Sequence, residues 1–274
     1  MAKKYIIGTN LLGYNDIKNY AGLPFKDFEV KKVYDLCKIP AYIIFKIFNR
    51  IHPFFSNFYY DLGLNKVDIY HFFNTIAFLK TPWVVTYETV LPRYNPISES
   101  GFKLLASDSC KKIIAISDRA IAIEKFFLNK FPKYEEKILK KIIKLPPSQK
   151  VHVDSVENKS YNGELVFTMV GAEFFRKSGI EILNAFEKLI NESYPVKLNI
   201  ISNLEFSFLD NPYTIEDYKN KVFAKINKYS KIIKHYRYLS HNQVIEIFKQ
   251  SHIYLLPSRQ ETYGYSALEG MACG

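Results

Sequence analysis

In the second half of the chain, short apolar runs alternate with longer segments whose apolar residues recur every three or four positions. The short runs predict β-strands at residues 165–170, 196–201, 232–238 and 253–256. Strands that alternate with helices of 10–15 residues are typical of βαβ units. Four such units therefore predict a parallel sheet covered by helices, which is half of an open, doubly wound α/β fold.

Capping patterns predict where several of these helices begin. In a capping box, a serine side chain caps the first turn and an acidic or amide side chain three residues later completes the pair. The predicted pairs are Ser178 with Glu181, Ser240 with Gln243, and Ser266 with Glu269. The first of these helices should bury Ile182, Leu183, Phe186 and Leu189. A further helix should begin at Thr214 and present Ile215, Tyr218, Val222 and Ile226.

The first half of the chain has the same alternation of predicted strands and helices, but the pattern is weaker. Its predicted strands are 5–9, 28–34, 67–71, 83–86 and 112–117, and Ser117 or Asp118 should cap a helix that ends near Leu128. Two prolines at 146 and 147, followed by the polar stretch 154–163, predict a linker. We therefore expect two domains, 1–150 and 151–274, each an α/β unit with a parallel sheet.

Composition indicates a packed globular protein, because 48% of the residues are hydrophobic and 24% are charged. The net charge of +11 suits nucleotide phosphates, an acidic membrane surface or simply a solvated basic surface. The sequence has neither a clustered basic stripe nor a nucleic-acid-binding motif, so no nucleic acid partner is predicted. The apolar stretch 39–60 is interrupted by Lys46, Arg50 and His52, and it predicts a helix that packs on its own domain or lies on a membrane.

The three cysteines are far apart and form no Cys-x-x-Cys pattern, so the sequence predicts neither a zinc site nor a disulfide framework. The apolar segment after the N-terminal lysines is too short for a signal peptide. These features favour a cytoplasmic protein, with peripheral attachment to the inner face of the membrane as an alternative.

Ligands of open α/β sheets bind at the carboxyl ends of the strands, and two of the predicted loops there carry unusual residues. The loop after residue 256 contains Gly264, which permits a tight turn, between two carboxylates, Glu261 and Glu269. The loop after Val170 contains Arg176 and Lys177, a pair that suits a diphosphate. Taken singly, these residues also fit a capping glutamate and solvated loop charges. Their occurrence after neighbouring strands favours one anion-binding site.

The segment HIYLLPSRQETYGYSALEGMACG, from His252, resembles the signature of the family 4 glycosyltransferases, whose GT-B fold has two facing Rossmann-like domains. The paired glutamates of that family, separated by seven residues, correspond to Glu261 and Glu269. VGAEFFRKSGIEILNAFEKL, from Val170, resembles the second donor-binding segment of the family. Weaker likenesses lie at VDIYHFFN, PWVVTYETVLPRY and KKIIAIS.

The resemblance implies a retaining transferase that moves a hexose or related sugar from a nucleotide-diphosphate donor to a glycan or lipid-linked acceptor, in cell-surface polysaccharide synthesis. It implies that Glu269 binds the ribose, that Glu261 contacts the transferred sugar, and that Arg176 and Lys177 neutralise the leaving diphosphate. Gly171 and the backbone amides of Tyr263, Gly264 and Tyr265 would contact the donor. Neither a cofactor nor a metal is implied, and the sequence lacks an Asp-x-Asp motif.

Three departures from the family pattern leave a second interpretation open, that of a noncatalytic nucleotide- or sugar-binding module. Ala172 replaces a frequent arginine, and Tyr87 or Glu88 occupies the region of a usual histidine. The glycine-rich first loop is reduced to Gly8 and Gly13.

His71, at a strand end, could contact substrate or be a core histidine. The resemblance also implies about a hundred further residues, so we expect an incomplete second domain and a fragment of low stability and activity.

Overall fold

The computed structural model describes residues 4–10, 26–50, 52–93, 99–155, 159, 161–204 and 215–274. The chain divides into two compact units, residues 1–148 and residues 149–274. Each unit is an α/β structure built on a parallel sheet. The α/β class predicted from the sequence is confirmed.

The N-terminal unit has a six-stranded parallel sheet with the order β2-β1-β4-β6-β7-β8 and a two-stranded parallel sheet of β3 and β5. Its strands are β1 (Tyr5–Thr9), β2 (Phe28–Lys32), β3 (Phe58–Tyr59), β4 (Ile69–Phe73), β5 (Ile76–Ala77), β6 (Trp83–Tyr87), β7 (Cys110–Ala115) and β8 (Ile142–Lys144). Its helices are α1 (Lys38–Phe48), α2 (Pro53–Asn57), α3 (Glu99–Leu105), α4 (Asp118–Leu128) and α5 (Pro132–Leu139).

Aromatic rings dominate the core of this unit, as the high phenylalanine and tyrosine content of the sequence suggests. Trp83, Phe58 and Phe72 are completely buried, and the Tyr59 ring lies 4.6 Å from the Phe72 ring. The cap of α4 is confirmed, since the Ser117 hydroxyl accepts a hydrogen bond from the amide of Ala120.

Helix α1 is the part of the N-terminal unit whose side chains are least covered. None of its residues is buried, and its large apolar side chains are mostly exposed. The helix ends at Asn49, which adopts a left-handed conformation and donates its amide hydrogen to the carbonyl of Phe45. The prediction of a helix in this apolar stretch is therefore confirmed, although the helix is not packed into the core.

The C-terminal unit has a four-stranded parallel sheet with the order β11-β10-β9-β12. Its strands are β9 (Leu165–Val170), β10 (Val196–Ile201), β11 (Ile233–Tyr236) and β12 (Ile253–Tyr254), and its helices are α6 (Gly179–Asn191), α7 (Ile215–Lys228), α8 (His241–Lys249) and α9 (Tyr265–Met271). The four predicted βα units are confirmed. The apolar positions of α6 and α7 face the core, where Leu183, Phe186 and Tyr218 are buried.

Of the three predicted capping boxes in this unit, one is confirmed and two are wrong. Ser240 accepts from the amide of Gln243, and the Gln243 side chain accepts from the amide of Ser240. Ser178 adopts a left-handed conformation (φ 57°) and makes no capping hydrogen bond. At the last helix, Gly264 occupies the cap position and the hydroxyl of Ser266 accepts a hydrogen bond from Tyr254 instead.

Some predicted features lie outside the described residues: Gly13 of the first loop, Thr214, and part of the polar stretch 154–163. None of the helices in the described part of the chain combines the length and the hydropathy needed to cross a bilayer.

Candidate active site

The two loops singled out in the sequence follow strands that are neighbours in the sheet. Strand β12 pairs in parallel with β9, with Ile253 opposite Phe167 and Tyr254 opposite Thr168. Because parallel strands end at the same edge of a sheet, the loops after Val170 and after Tyr254 meet there.

The first loop is a compact turn between Glu173 and Ser178 that is anchored by two rings. Phe174 and Phe175 are buried in the core of the unit. The amide of Lys177 donates to the carbonyl of Glu173 (3.1 Å), and the amide of Gly179 donates to that of Phe174 (2.8 Å). The turn therefore fixes the backbone of the following two residues, Arg176 and Lys177, at the end of β9.

Lys177 reaches across to the second loop and binds Glu261. Its Nζ lies 2.9 Å from Glu261 Oε2, and its side chain is only 11% exposed. Partial burial on its own would raise the pKa of Glu261, but the hydrogen bond and charge of Lys177, together with the charge of Arg176, lower it. Glu261 is therefore held as a carboxylate that also accepts from the Ser258 hydroxyl.

Arg176 lies on the same carboxylate with a longer contact. Its Nη1 is 3.9 Å from Glu261 Oε2, while the same guanidinium hydrogen-bonds to Glu173 and to the carbonyl of Gln260. Two cations and one carboxylate thus converge between the two loops. The structure brings Arg176, Lys177 and Glu261 together between the two loops. The functional roles assigned to them remain predictions.

Arg259 joins the same two loops, and the sequence analysis did not identify it. Its amide donates to the carbonyl of Arg176 (2.9 Å), and its guanidinium lies 4.4 Å from the centre of the Phe175 ring. The guanidinium also forms an ion pair with Glu181. Glu181, the expected capping partner of Ser178, therefore fixes the position of this arginine instead. In the sequence, Arg259 was visible only as one more basic residue in a loop that already contained candidate site residues.

Two glycines are required by close approach. A Cβ atom at Gly171 would collide with the side chain of Lys177, so glycine leaves the space that this lysine side chain occupies at the end of the sheet. Gly264 has φ 81°, and a Cβ there would lie 3.0 Å from Leu256. The glycines therefore shape the two loops, and a donor contact for either remains a prediction.

Glu269 lies on α9 and is 6% exposed. Burial raises the pKa of its carboxyl group to about 7. Its Oε1 atom lies 3.4 Å from Nε2 of His241, the first residue of α8, but no hydrogen bond to this oxygen is formed by the described part of the chain. Burial, together with the charge of His152, lowers the pKa of His241. The alternative that Glu269 completes a capping box with Ser266 is wrong, because Gly264 is the cap residue and the helix has no side-chain capping hydrogen bond.

Tyr263 and Tyr265 flank Gly264, and their rings lie 5.3 Å apart at 58°. The predicted contacts of these residues with a donor are through backbone amides. Those contacts remain predictions.

In the N-terminal unit, the residues considered as substitutes for the family histidine follow β6. Tyr87 is buried, and Glu88 forms a 3.6 Å ion pair with Arg93. His71 is engaged with the hydroxyl of Thr86 at 2.8 Å, and burial lowers its pKa to about 4, as for a neutral core histidine.

The sequence analysis did not identify Glu124, because the periodicity of apolar residues along a helix does not show that a glutamate faces the core. It is completely buried, and burial raises its pKa to about 8. Its Oε2 atom accepts from the amide of Leu91 at 2.7 Å and so fixes the loop after β6.

Two cavities lie away from the loops that carry Lys177 and Glu261. One of about 840 Å³ in the N-terminal unit is lined by Lys103, Lys133, Lys137 and Tyr134 among others. One of about 390 Å³ lies between α6 and α7. Among the described residues, no group of three or more histidine, cysteine or acidic side chains is arranged to hold a metal ion.

Residues 152–274 match the family model described as glycosyl transferases group 1. The matched segment contains both loops and Glu269. A search of curated protein sequences gives no significant match. The family match supports glycosyl transfer as the general class of activity.

Solved structures of glycosyltransferases share the fold of the chain. The chain is similar to a UDP-forming trehalose-phosphate synthase from Burkholderia xenovorans (TM-score 0.57, 14% identity, covering 99% of this chain and 81% of that one). It is also similar to a glycosyltransferase from Rickettsia africae (TM-score 0.53, 16% identity, covering 98% of this chain and 77% of that one). A third similar structure is WaaG, a glycosyltransferase involved in lipopolysaccharide biosynthesis (TM-score 0.50, 17% identity, covering 92% of this chain and 68% of that one).

At these identities the structural similarity concerns the fold, which is that of GT-B glycosyltransferases: α/β with parallel sheets. Other matched structures are longer, and the chain spans about half of their length, 54% and 50% in two cases.

Proposed function

We propose that the chain is a retaining glycosyltransferase that moves a sugar, of the hexosyl type, from a nucleotide-diphosphate donor to a glycan or lipid-linked acceptor. The observation that carries the proposal is the contact between Lys177 and Glu261, 2.9 Å long, between loops at the ends of adjacent strands. The family match over the same residues supports this assignment.

The chemistry follows from where charge develops. When the bond between the sugar and the diphosphate breaks, negative charge accumulates on the departing phosphate. Fixed cations stabilise that charge more strongly than the charge of the intact donor, and so lower the barrier. Lys177 and Arg176 are suited to this role because the turn and Arg259 hold them in place before the donor arrives. No divalent metal and no cofactor is part of the proposal.

Glu261 would then have two tasks in sequence. In the structure its carboxylate holds Lys177. With a donor bound, the lysine would turn to the phosphate and the carboxylate would accept from hydroxyl groups of the sugar. Glu269 would accept from the ribose hydroxyls as an ionised carboxylate. The proposed setting is the cytoplasm or the inner face of a membrane, in cell-surface polysaccharide synthesis.

The alternative is a noncatalytic binding module. One observation favours it: Arg176 and Lys177 already have carboxylate partners, Glu173 and Glu261, which a purely structural role would also explain.

Glu261→Gln distinguishes the two functions. UDP-, GDP- and ADP-sugars are first screened by NMR or calorimetry, and release of nucleoside diphosphate is then measured with the donor that binds. For an enzyme, we expect Glu261→Gln to lower turnover about a hundred-fold, the loss found when one fixed polar group of an active site is removed. Glu187→Gln is the matched control, because Glu187 is also paired with a lysine and is equally exposed (27%), but lies on α6.

A binding module gives a different result: donor binding without nucleotide release in the unmodified chain, and binding little changed by Glu261→Gln. Retention is tested separately, by the anomeric proton coupling of the first product formed.

A further inference from the structure

Helix α1 carries an apolar stripe that faces solvent. Ile39, Ile43 and Ile47 recur every four residues, so they lie along one face of the helix, and they are 58%, 50% and 67% exposed. Phe45 and Phe48 are also exposed, on other sides of the helix. Large apolar side chains scattered singly over a surface need no explanation, but a contiguous apolar face marks a binding surface.

Along the chain from residue 36 to residue 60, the charged residues, counted among aspartate, glutamate, lysine and arginine, are all basic. No aspartate or glutamate occurs between Asp35 and Asp61, whereas Lys38, Lys46 and Arg50 lie in or beside the helix. The Lys46 ammonium lies 5.6 Å from the centre of the Tyr42 ring, on the exposed side. The surface is therefore apolar and cationic together, which complements an apolar medium covered by negative charge.

The size of the helix favours a membrane over a protein partner. An 11-residue helix is about 16 Å long. One face of it is smaller than the roughly 600 Å² that each partner buries in even a small stable protein interface. A bilayer interface needs no such area, and it accepts short helices that have isoleucine and aromatic residues on one side and lysine at the edge.

We propose that helix α1 docks on the surface of a bilayer that contains anionic lipids, with Ile39, Ile43 and Ile47 in the acyl boundary and Lys46 at the headgroups. The helix lies in the interface plane and does not cross the membrane. This proposal does not rest on glycosyl transfer, since none of these residues belongs to the candidate active site. It would bring the chain to a surface where lipid-linked acceptors are held.

Vesicle co-sedimentation of the full chain tests the proposal. We expect binding to phosphatidylcholine vesicles with about one-third phosphatidylglycerol, weak binding to phosphatidylcholine alone, and loss of binding as salt rises from about 0.1 M to about 0.5 M. Ile43→Asp should lower the partition coefficient at least about ten-fold. Lys46→Ala should lower it about five-fold.

Phe126→Asp and Lys125→Ala, exposed positions on α4, are the matched controls and should bind like the unmodified chain. Ile47→Asp repeats the test at a more exposed site, and circular dichroism together with unchanged donor binding shows that the variants are folded.

Three results would overturn the proposal: equal binding to the two kinds of vesicle, an unaltered partition coefficient in both aspartate variants, or no vesicle binding at all. In the last case, a dimer in sedimentation equilibrium that Ile43→Asp dissolves would identify a second copy of the chain as the occupant. Failure of donor binding with intact vesicle binding would count against the proposed function alone.

Discussion

Replacing Glu269 by glutamine should make the chain more stable at neutral and alkaline pH while it weakens nucleotide binding. Burial raises the pKa of this carboxyl group from 4.5 to about 7. Below pH 4.5 the group is protonated in the folded and the unfolded chain, and its favourable contribution is complete. As the pH rises, the unfolded chain ionises first, so the contribution declines between pH 4.5 and about 7 and is then absent.

The magnitude follows from the shift of 2.5 pH units (7 − 4.5), which corresponds to at most about 3 kcal/mol of unfolding free energy at pH 8. Glutamine keeps the shape and cannot ionise, so the variant should avoid this loss. Binding should change in the opposite direction, because a ribose hydroxyl donates a stronger hydrogen bond to a carboxylate than to an amide.

The measurement is urea unfolding followed by circular dichroism at pH 4, 6 and 8, for the unmodified chain and for Glu269→Gln. Glu187→Gln is a control of opposite sign, because hydrogen bonds from Lys225, Lys228 and Tyr229 lower the pKa of Glu187 to about 2. That variant should be less stable than the unmodified chain above pH 4.5, where the contribution of Glu187 is complete, and the difference should shrink as the pH falls from 4.5 towards 2. If the unmodified chain and Glu269→Gln change in parallel from pH 4 to pH 8, Glu269 does not hold its proton by burial and the reasoning fails.

Two further predictions concern the loops and a helix. Gly171→Ala should push Lys177 away from Glu261 and cost about 1–3 kcal/mol of stability by overpacking. In a Lys177→Ala background the same change should cost less, and equal costs in the two backgrounds, measured by urea unfolding, would contradict the clash. Ser240→Ala removes a complete capping box and should lower the free energy of unfolding by about 1 kcal/mol, read as a fall in the thermal midpoint. No change in the midpoint would mean that α8 does not depend on its cap.

The sequence predicted the C-terminal sheet well because its strands are continuous apolar runs. Strands β9 and β10 have the predicted bounds, and β11 and β12 are shorter by a few residues at their ends. In the N-terminal unit the predicted strand 67–71 lies at Ile69–Phe73, two residues later. The strands β3 and β5 were not predicted, since two residues are too few for a periodic signal.

Capping was predicted less reliably, because the pattern does not reveal competing contacts. Ser178 and Ser266 both have a glutamate three residues later, as Ser240 has a glutamine. At Ser178 the turn closed by Phe174 forces a left-handed conformation. At Ser266 the hydroxyl accepts a hydrogen bond from Tyr254, and the helix is capped two residues earlier, at Gly264.

For the candidate site, the sequence predicted that the two charged loops follow neighbouring strands, but it did not predict which side chains pair with which. Lys177 and Glu261 are 84 positions apart, and only the adjacency of β9 and β12 brings them together. The glutamine and arginine between Ser258 and Glu261 looked like ordinary loop residues, yet Arg259 joins both loops. Burial of Glu269 beside His241 also depends on helix packing, which a sequence pattern does not specify.

In the turn that carries Arg176 and Lys177, neighbouring residues have different roles. The buried rings of Phe174 and Phe175 anchor the backbone. The side chains of Arg176 and Lys177 extend towards Glu261 in the candidate site. Natural or laboratory evolution could therefore alter the outward pair without rebuilding the scaffold beneath it. A related sequence that retained both rings and exchanged the two basic residues for neutral ones would keep this architecture while preferring a ligand of lower negative charge. Under the proposed function, the turn is thus a place where ligand preference can diversify at little cost to folding.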